Sequence, residues 1–450
     1  MRQADRQHED DAGGEASGGD EVRMEVKAPC AKYFARPRRV LTNAGELPED
    51  WHVQPLGALM CLLNGRAFSP NEWSDAGAPI IRIQNLNDPN SEFNFFSGVA
   101  DERNLIRSGD LLFAWSGTTG SSFGARIWTG PTGVLNQHIF KVLPDPEKLS
   151  PAYAYRLLLK AQHAIERQAH GFKASFVHVK KSDLITVDAG FPPTLYEQDQ
   201  ISGALTDADA LIDSLEQLLT KKRQIKQGAM QELLIGKRRL PGFSRPWAAV
   251  RLGDIGRTYG GLTGKSKVDF GHGSAKYVTF MNVMTNVTMT LDQVERVDIG
   301  PAESQNRVQP GDLLFNGSSE TPEEVAFCSR VQACNEDVYL NSFCFGFRPS
   351  GTASISELFM AYFFRARPGR LAVSSLAQGA TRYNISKAAL LQAPLTLPDV
   401  MEQHAIAETL SVLDSEMTAL EARLTKARAL KQAMAQALLT GRIRLVARAA

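Results

Sequence analysis

The chain is poor in cysteine, has no long apolar run and carries almost no net charge. Its 450 residues include five cysteines, which form neither a Cys-x-x-Cys pair nor a Cys/His cluster with zinc spacing. Such scatter is typical of reduced, buried thiols. No apolar stretch approaches the roughly 18 residues of a membrane-spanning helix, and acidic residues near the N-terminus argue against a secretory signal. We therefore expect a cytoplasmic protein with no membrane association.

The motifs of common enzymes are missing as well. Residues 259–266 (YGGLTGKS) resemble a phosphate-binding loop, but Tyr259 stands where that loop requires its first glycine. No Gly-x-Gly-x-x-Gly follows a strand pattern, so a dinucleotide or S-adenosylmethionine loop is not predicted. Residues 191–194 (FPPT) lack the amide and the aromatic ring with which an amino-methyltransferase holds its target amine. The eight histidines form no metal-ligand pair, so the motifs of the common catalytic classes are all missing together.

What the sequence does contain is a repeat of a whole domain. Four segments of the first half return about 205 positions later: KQGAMQELLIGKRRL (226–240) as KQAMAQALLTGRIRL (431–445), GDLLF (109–113) as GDLLF (311–315), LN (135–136) as LN (340–341), and EQ (197–198) as EQ (402–403). This period is far longer than that of a solenoid. Two similar halves predict a pseudo-twofold symmetric molecule, which suits a partner with twofold character such as duplex DNA.

Each half combines a β-rich region with one long helix. Short strand patterns broken by Gly, Ser and Asn turns accompany a shorter helical stretch, which is typical of an α+β fold. Residues 1–46 are rich in glycine and acids, and we expect them to be disordered. The predicted divisions after that extension are a globular domain at 47–195, a helix at 196–239, a globular domain at 240–400, a helix at 401–445 and a tail at 446–450.

The long helices give the clearest periodic signal. Within 201–219 and 406–438, apolar residues recur at alternating spacings of four and three, which is a heptad seam. Each helix is expected to run about 38 residues, or about 57 Å, and to end at Gly236 or Gly441. We predict that the two seams pair antiparallel within the chain, with a parallel homodimer as the alternative. The expected fold is therefore α+β, with two repeated globular α/β domains joined by two long antiparallel coiled-coil helices.

Several doubled motifs resemble a known family. They are the opening Leu47-Pro48, Trp51 and Leu56-Gly57, the two GDLLF segments, Leu135-Asn136-Gln137-His138 with Leu340-Asn341-Ser342, the helix starts at Glu197-Gln198 and Glu402-Gln403, and the helix ends at 234–237 and 439–442. In this doubled order the chain is similar to the specificity subunit of Type I restriction-modification systems. The resemblance covers roughly residues 47–445, whereas the extension 1–46 lies outside the family pattern.

The resemblance implies a function and a set of partners. Each globular domain would be a target recognition domain that reads one half of a bipartite, asymmetric sequence in double-stranded DNA, and the helices would set the spacing between the halves. The chain itself would be non-catalytic and would bind no cofactor. It would hold two methyltransferase subunits, which use S-adenosylmethionine to modify adenine, and in the full complex two restriction (translocating nuclease) subunits.

Three other functions stay open. The same architecture could serve a methylation-only system, which has no nuclease partner. A coiled-coil scaffold that binds proteins would show weak salt dependence, whereas phosphate contacts predict a steep loss of affinity with salt. A self-contained methyltransferase is the third, and the missing amine-holding loop argues against it.

Candidate DNA contacts lie on loops that follow the shared strands. Exposed donors and acceptors can read base edges, while cations fix the register on phosphates. A flexible turn or a half-buried strand would explain the same patterns without DNA. The residues expected to bind DNA are Ser116, Thr118, Thr119, Ser121, Lys173, Ser175, His178 and Lys180 in the first half, and Lys265, Ser266, Lys267, Asn316, Ser318, Thr381, Arg382, Tyr383 and Asn384 in the second.

Overall fold

The computed structural model describes residues 38–88, 91–171, 176–334, 336–351, 355–379 and 382–445. These residues fall into two compact units. Unit 1 comprises the chain up to Asp199 together with the chain from Leu438 onward, and unit 2 comprises Gln200–Ala437. The last residue of the second long helix, Leu438, therefore begins the segment that returns to unit 1.

Unit 1 is built from short strands and short helices. Its strands are β1 (Arg39–Thr42), β2 (Gly45–Pro48), β3 (His52–Pro55), β4 (Met60–Asn64), β5 (Ala78–Ile81), β6 (Asn94–Phe96), β7 (Leu105–Ile106), β8 (Leu111–Ala114), β9 (Ser116–Thr118), β10 (Gly124–Ile127), β11 (Gly133–Leu135), β12 (Ile139–Pro144), β13 (Phe176–His178) and β14 (Asp188–Phe191). Its helices are α1 (Leu56–Leu59), α2 (Ile83–Asn87), α3 (Pro151–Gly171) and α4 (Lys181–Ile185). Single 3-10 turns occur at Pro70–Glu72 and Glu102–Asn104.

Two four-stranded sheets form the centre of unit 1. The first has the order β10-β8-β12-β4 and is antiparallel throughout. The second has the order β6-β5-β11-β7 and contains one parallel pair, β5 with β11. Strand β8, which carries the LLF of GDLLF, is buried along its whole length. A strand covered on both faces reads as a continuous apolar run, which explains this segment of the repeat.

Unit 2 repeats the same construction. Its strands are β15 (Ala248–Arg251), β16 (Gly256–Gly260), β17 (Phe270–Val278), β18 (Val294–Val297), β19 (Leu313–Asn316), β20 (Ser318–Ser319), β21 (Cys328–Arg330), β22 (Val338–Leu340), β23 (Cys344–Pro349), β24 (Tyr383–Asn384) and β25 (Pro394–Leu397). The sheet β16-β23-β19-β21 matches β4-β12-β8-β10 strand for strand, and β18-β17-β22 matches β6-β5-β11. The prediction that one α+β fold occurs twice is confirmed.

The remaining helices of the chain include two that are much longer than the others. They are α5 (Leu195–Leu233), α6 (Leu252–Ile255), α7 (Phe280–Thr285), α8 (Glu357–Arg365), α9 (Arg367–Ser374), α10 (Lys387–Gln392) and α11 (Val400–Leu438), with 3-10 turns at Lys267–Asp269 and Leu291–Gln293. Helices α5 and α11 each contain 39 residues, close to the expected length. Both end three residues before the predicted glycines, which adopt the left-handed conformation with φ of 70° at Gly236 and 63° at Gly441.

Between Gln200 and Ala437 the two long helices belong to unit 2, where their seams face each other. Leu215 and Leu219 of α5 form one buried cluster with Leu420 and Leu424 of α11. Ion pairs flank this cluster between Asp209 and Lys431, Glu216 and Arg428, Lys222 and Glu416, Arg223 and Glu421, and Lys226 and Asp414. Low numbers on α5 pair with high numbers on α11, so the predicted antiparallel pairing within the chain is confirmed.

The repeated Glu-Gln motif anchors the start of each long helix. In unit 1 the buried carboxylate of Glu197 accepts a hydrogen bond of 2.8 Å from Arg444 Nη2, and Gln198 Oε1 accepts one of 2.9 Å from the Ser150 amide. In unit 2, Arg239 Nη2 donates to Glu402 Oε2 at 2.6 Å, and the Ser356 amide donates to Gln403 Oε1 at 2.9 Å. Hydrogen bonds to Glu197 and Asp50 raise the pKa of Arg444, so its charge is permanent.

The N-terminal region corrects one prediction. Residues 1–46 are expected to be disordered, but β1 and β2 pair as a hairpin from Arg39↔Pro48 to Thr42↔Gly45. The Arg39 guanidinium also donates to the Thr440 carbonyl oxygen at 3.2 Å. Amino-acid composition does not predict this hairpin, because the hairpin depends on backbone pairing and on a contact with a residue about 400 positions away. Residues 1–37 and the predicted tail 446–450 lie outside the described residues.

Candidate nucleic-acid interface

A short two-stranded ladder follows the GDLLF strand in each unit. In unit 1, β9 pairs with β13 so that Ser116 lies opposite His178. In unit 2, β20 pairs with β24 so that Ser318 lies opposite Asn384. The sequence places these segments in separate candidate loops, and the structure joins them into one surface in each unit.

The unit 1 ladder ends in a tight polar turn. The amides of Ser121, Ser122 and Phe123 all donate to the carbonyl oxygen of Thr118, which folds the chain back on itself. Thr118 and Ser121 are exposed, Thr119 is half-buried and Ser116 is buried. Lys180 is exposed just before α4. The predicted contacts Lys173 and Ser175 lie outside the described residues.

Aromatic rings meet beside the unit 1 ladder. The Trp115 ring lies 4.8 Å from the ring of His178 and 5.1 Å from that of His138, measured between centroids. Its indole Nε1 donates to the carbonyl oxygen of Gln137 at 3.2 Å. Buried Nδ1 of His138 has no hydrogen-bond partner among the described residues. Sequence reasoning selected only His178; the signal for His138 was its place directly after the repeated Leu-Asn segment.

The unit 2 ladder carries a different set of side chains. Asn384 and Arg382 are exposed, Tyr383 is half-buried, and Ser318 is only 5% exposed. The Arg382 guanidinium lies 5.5 Å from the ring centroid of Phe343, a residue that the sequence analysis missed. Thr381 lies outside the described residues.

Two residues predicted to bind DNA are largely buried and bonded within unit 2. Asn316 is fully buried, and its Nδ2 donates to the carbonyl oxygens of Ser318 and Glu324 at 3.1 and 3.0 Å. Lys265 has a side chain only 6% exposed, with Nζ 2.6 Å from Glu303 Oε1. This contact lowers the pKa of Glu303. Asn316 is therefore buried, with its Oδ1 unpartnered among the described residues, and Lys265 is held by an ion pair; their roles as DNA contacts stay predictions.

The neighbouring residues of that loop differ in their availability. Ser266 caps a 3-10 turn, with its amide and hydroxyl donating to Asp269 Oδ2 at 2.7 and 2.8 Å. The Ser266 amide is the main reason that the pKa of Asp269 is lowered. Lys267 is exposed. Of the three residues predicted here, Lys267 is the best placed to meet a phosphate.

A cleft of about 290 Å³ opens at the unit 2 ladder. It is lined by Gly260, Gly261, Leu262, Thr263, Gly317, Ser318, Ser342, Phe343, Cys344, Phe345, Asn384, Ile385 and Lys387. Gly261 packs directly against the neighbouring backbone at this cleft. A Cβ there would lie 2.1 Å from the Asn341 carbonyl oxygen. The cleft thus gathers two predicted contacts, Ser318 and Asn384, with the unpredicted Phe343 and Lys387.

The described ranges contain neither a metal-binding cluster nor a membrane-spanning helix. No group of three or more His, Cys, Asp or Glu side chains there is placed to hold a metal ion. None of the helices in those ranges is both long and apolar enough to cross a membrane.

The chain contains two copies of one α+β fold, and the ladders of the two copies carry different side chains. This arrangement defines a two-part recognition protein. The particular family follows from the sequence match. The chain belongs to the family of the Type I restriction modification DNA specificity domain, whose model matches residues 48–227 and 244–428. The resemblance predicted from the doubled motifs is confirmed, while the individual DNA contacts stay predictions.

Relatives of similar length support this assignment. The chain is 23% identical over 433 residues to the putative type I restriction enzyme MjaX specificity subunit of Methanocaldococcus jannaschii, which covers 90% of this chain and 96% of that protein. It is 22% identical over 418 residues to the MjaVIII specificity subunit of the same organism, covering 89% of this chain and 94% of the relative.

Solved structures share the fold. The S subunit of a Type-I restriction-modification system from M. genitalium aligns with a TM-score of 0.51 at 14% identity, covering 86% of this chain and 96% of that one. A chain from a structure addressing complex assembly and conformational transition of the type I R-M system aligns with a TM-score of 0.50 at 18% identity, covering 88% and 99%.

Proposed function

We propose that this chain is the DNA specificity subunit of a Type I restriction-modification complex. Each unit reads one half of a bipartite, asymmetric target in double-stranded DNA. The observation that carries this proposal is the duplicated family domain, in which two copies share their sheet order but differ at the ladder. Different side chains on one scaffold suit two different half-sites.

The charges near the ladders suggest how reading and positioning are divided. Exposed cations such as Lys180, Lys267 and Arg382 suit phosphate oxygens, which fix register without sequence information. Ladder side chains such as His178 and Asn384 suit base edges, because they offer donors and acceptors in a fixed direction. The formal net charge of +1 means that DNA attraction depends on these local cations.

The long helices offer a surface for a protein partner. Leu211, Leu218 and Ile225 of α5 recur every seven residues and are 50%, 42% and 44% exposed. They form an apolar stripe beside the seam that α11 covers. We propose that the methyltransferase subunits, two per complex, dock on these helices, and that two restriction subunits join them in the full complex. A methylation-only system would use the same contacts without the restriction subunits.

Catalysis and cofactor binding are assigned to the partners. We propose that this chain transfers no methyl group and binds no S-adenosylmethionine, which the methyltransferase subunit holds instead. The family description as a DNA specificity domain supports this division. Incubation of the purified chain with DNA and labelled S-adenosylmethionine should give no methylated product until the methyltransferase subunit is added. Because its target is DNA, we place the complex in the cytoplasm.

The decisive experiment is methylation-aware sequencing of host DNA. Cells that carry the methyltransferase subunit are compared with and without this chain. We expect N6-methyladenine at one split, asymmetric motif only when the chain is present. A protein-binding scaffold predicts no motif at all, together with DNA binding that hardly changes with salt.

A further inference from the structure

The two ladders differ most at one corresponding residue. Trp115 of unit 1 and Gly317 of unit 2 occupy the same backbone position, because both amides donate across the strand, to His138 O at 3.2 Å and to Phe343 O at 2.8 Å. Their carbonyl oxygens also accept equivalent bonds, from the amides of Val179 and Ile385. The side chains at this position are an indole in unit 1 and a hydrogen atom in unit 2.

This exchange decides whether a cleft exists. In unit 1 the Trp115 ring packs among imidazole and phenyl rings within 6 Å. In unit 2 the equivalent space is the open cleft of about 290 Å³. The backbone keeps it open, since even a Cβ at Gly317 would lie 3.0 Å from the Phe343 carbonyl oxygen.

One residue that lines the cleft has a buried hydroxyl with no partner among the described residues. Ser318 is 5% exposed, and its hydroxyl oxygen makes no hydrogen bond to any described residue. A buried hydroxyl left in this state is unfavourable, and such groups in native proteins usually have a partner. A ligand in the cleft would supply that partner.

The groups around Ser318 indicate which ligand fits. Asn384, directly opposite in the ladder, is exposed, and its Nδ2 uses one donor on the Arg382 carbonyl oxygen at 3.3 Å. The Phe343 side chain is 57% exposed, which gives an apolar wall. Lys387 lies at the rim with no ion pair among the described residues, and Arg382 lies over the Phe343 ring. A carboxamide pairs with adenine N6 and N7 in the major groove, and an apolar wall suits the thymine methyl group.

We propose that this cleft reads an adenine–thymine base pair through the major groove. Asn384 pairs with the adenine, the Ser318 hydroxyl completes its hydrogen bond on the same base pair, Phe343 meets the thymine methyl group, and Lys387 binds the adjacent phosphate. This inference rests on the proposed function and deepens it. In unit 1 the Trp115 ring stands at the equivalent position, so the two halves of the target are read by different chemistry.

The test is the methylated motif of cells carrying the methyltransferase subunit and a variant chain. With Asn384→Ala or Ser318→Ala, one A·T position in one half of the motif should relax, by roughly 5- to 150-fold in discrimination. The other half should be unchanged. Lys387→Ala should instead weaken binding to all sequences alike and reduce the salt dependence by about one phosphate contact.

Gln392→Ala is the matched control. This exposed carboxamide lies on α10 with Lys387 but does not line the cleft, so its motif should equal that of the wild type. Relaxation of both halves, or an unchanged motif in Asn384→Ala and Ser318→Ala, would overturn the inference and leave the proposed function intact. Absence of any motif in the wild type would overturn the proposed function itself. Thermal unfolding of each variant, and the conservative Asn384→Gln, separate lost reading from lost folding.

Discussion

At the residue scale, the buried carboxylate of each Glu-Gln motif depends on one arginine. Glu197 is 1% exposed and receives the guanidinium of Arg444, which also meets Asp50 at 2.8 Å from Nη1. A buried charge is tolerated only when it is paired and hydrogen-bonded. The arginine therefore stabilises unit 1 chiefly by preventing an uncompensated negative charge.

Replacing Arg444 should expose this dependence. Arg444→Ala is expected to destabilise unit 1 by about 3 kcal/mol, since it leaves the Glu197 carboxylate buried and unpaired. Hydrogen exchange measured by mass spectrometry should show faster opening around Trp51 and Glu197. Arg442→Ala, an exposed neighbour, is the control and should leave both regions unchanged. Equal exchange in the two variants would contradict the role given to Arg444.

The cysteines make a pH-dependent prediction. Burial raises the pKa of the Cys344 thiol to about 12, whereas Cys61 is exposed. Alkylation of the native chain at pH 8 should therefore label Cys61 much faster than Cys344, as mass spectrometry of the peptides would show. A folded pKa above the unfolded value also favours folding at lower pH. Stability from Cys344 should be complete below about pH 8.5 and fall as the pH rises towards 12. Comparable labelling of both thiols would refute this.

Single residues were predicted well only where their role is local. The exposed Asn384 and His178 were selected correctly as accessible side chains, because alternation along a strand indicates which residues face outward. The burial of Asn316 and the ion pair of Lys265 were not predicted, because their partners, Glu324 and Glu303, lie in other segments. The local sequence pattern does not predict a partner from another segment.

At the element scale, sequence periodicity predicted the long helices, but it did not predict the short strand pairings. The 39-residue lengths of α5 and α11 follow from heptads and closing glycines, which are properties of continuous sequence. The hairpin β1–β2 has four residues in each strand and an acid- and glycine-rich segment before it. Its pairing depends on tertiary contact, so composition could not reveal it.

The buried seam between α5 and α11 and the exposed stripe of α5 should respond differently to substitution. Leu420→Ala, in the buried seam opposite α5, should lower the free energy of unfolding by about 2 kcal/mol because it leaves a cavity. Leu218→Asp, on the exposed stripe, should leave urea unfolding unchanged but abolish co-purification of the methyltransferase subunit. Gln217→Asp adds the same charge at the next exposed position and should retain the partner. Retention by Leu218→Asp would remove this stripe from the docking surface.

At the scale of the whole molecule, duplication was the most readable property of the sequence. Repeated motifs predicted two copies of one fold, and the matching sheet orders confirm it. The differences between the two copies were harder to predict from the sequence. Trp115 and Gly317 can be recognised as equivalent residues only from their backbone hydrogen bonds.

A paired insertion tests whether the helices set the spacing of the target. One extra heptad is inserted after Leu219 in α5 and after Leu420 in α11, which lie in the same seam cluster, so that register is kept. Each helix gains about 10 Å, or about three base pairs of DNA. We expect the unspecified gap in the methylated motif to lengthen by about that amount, with both specific halves unchanged. An unchanged gap would exclude the spacer role.

The return of the chain from Leu438 onward to unit 1 has a consequence for biosynthesis. Unit 1 is translated before unit 2. However, the hydrogen bonds of its hairpin to Thr440 and of its Glu197 carboxylate to Arg444 can form only after unit 2 has been translated. Domains commonly fold in the order in which they leave the ribosome, but here the earliest unit is the last to be completed. A message truncated before codon 438 would yield an unfinished first unit, an open substrate for proteases, so that degradation would select for complete chains.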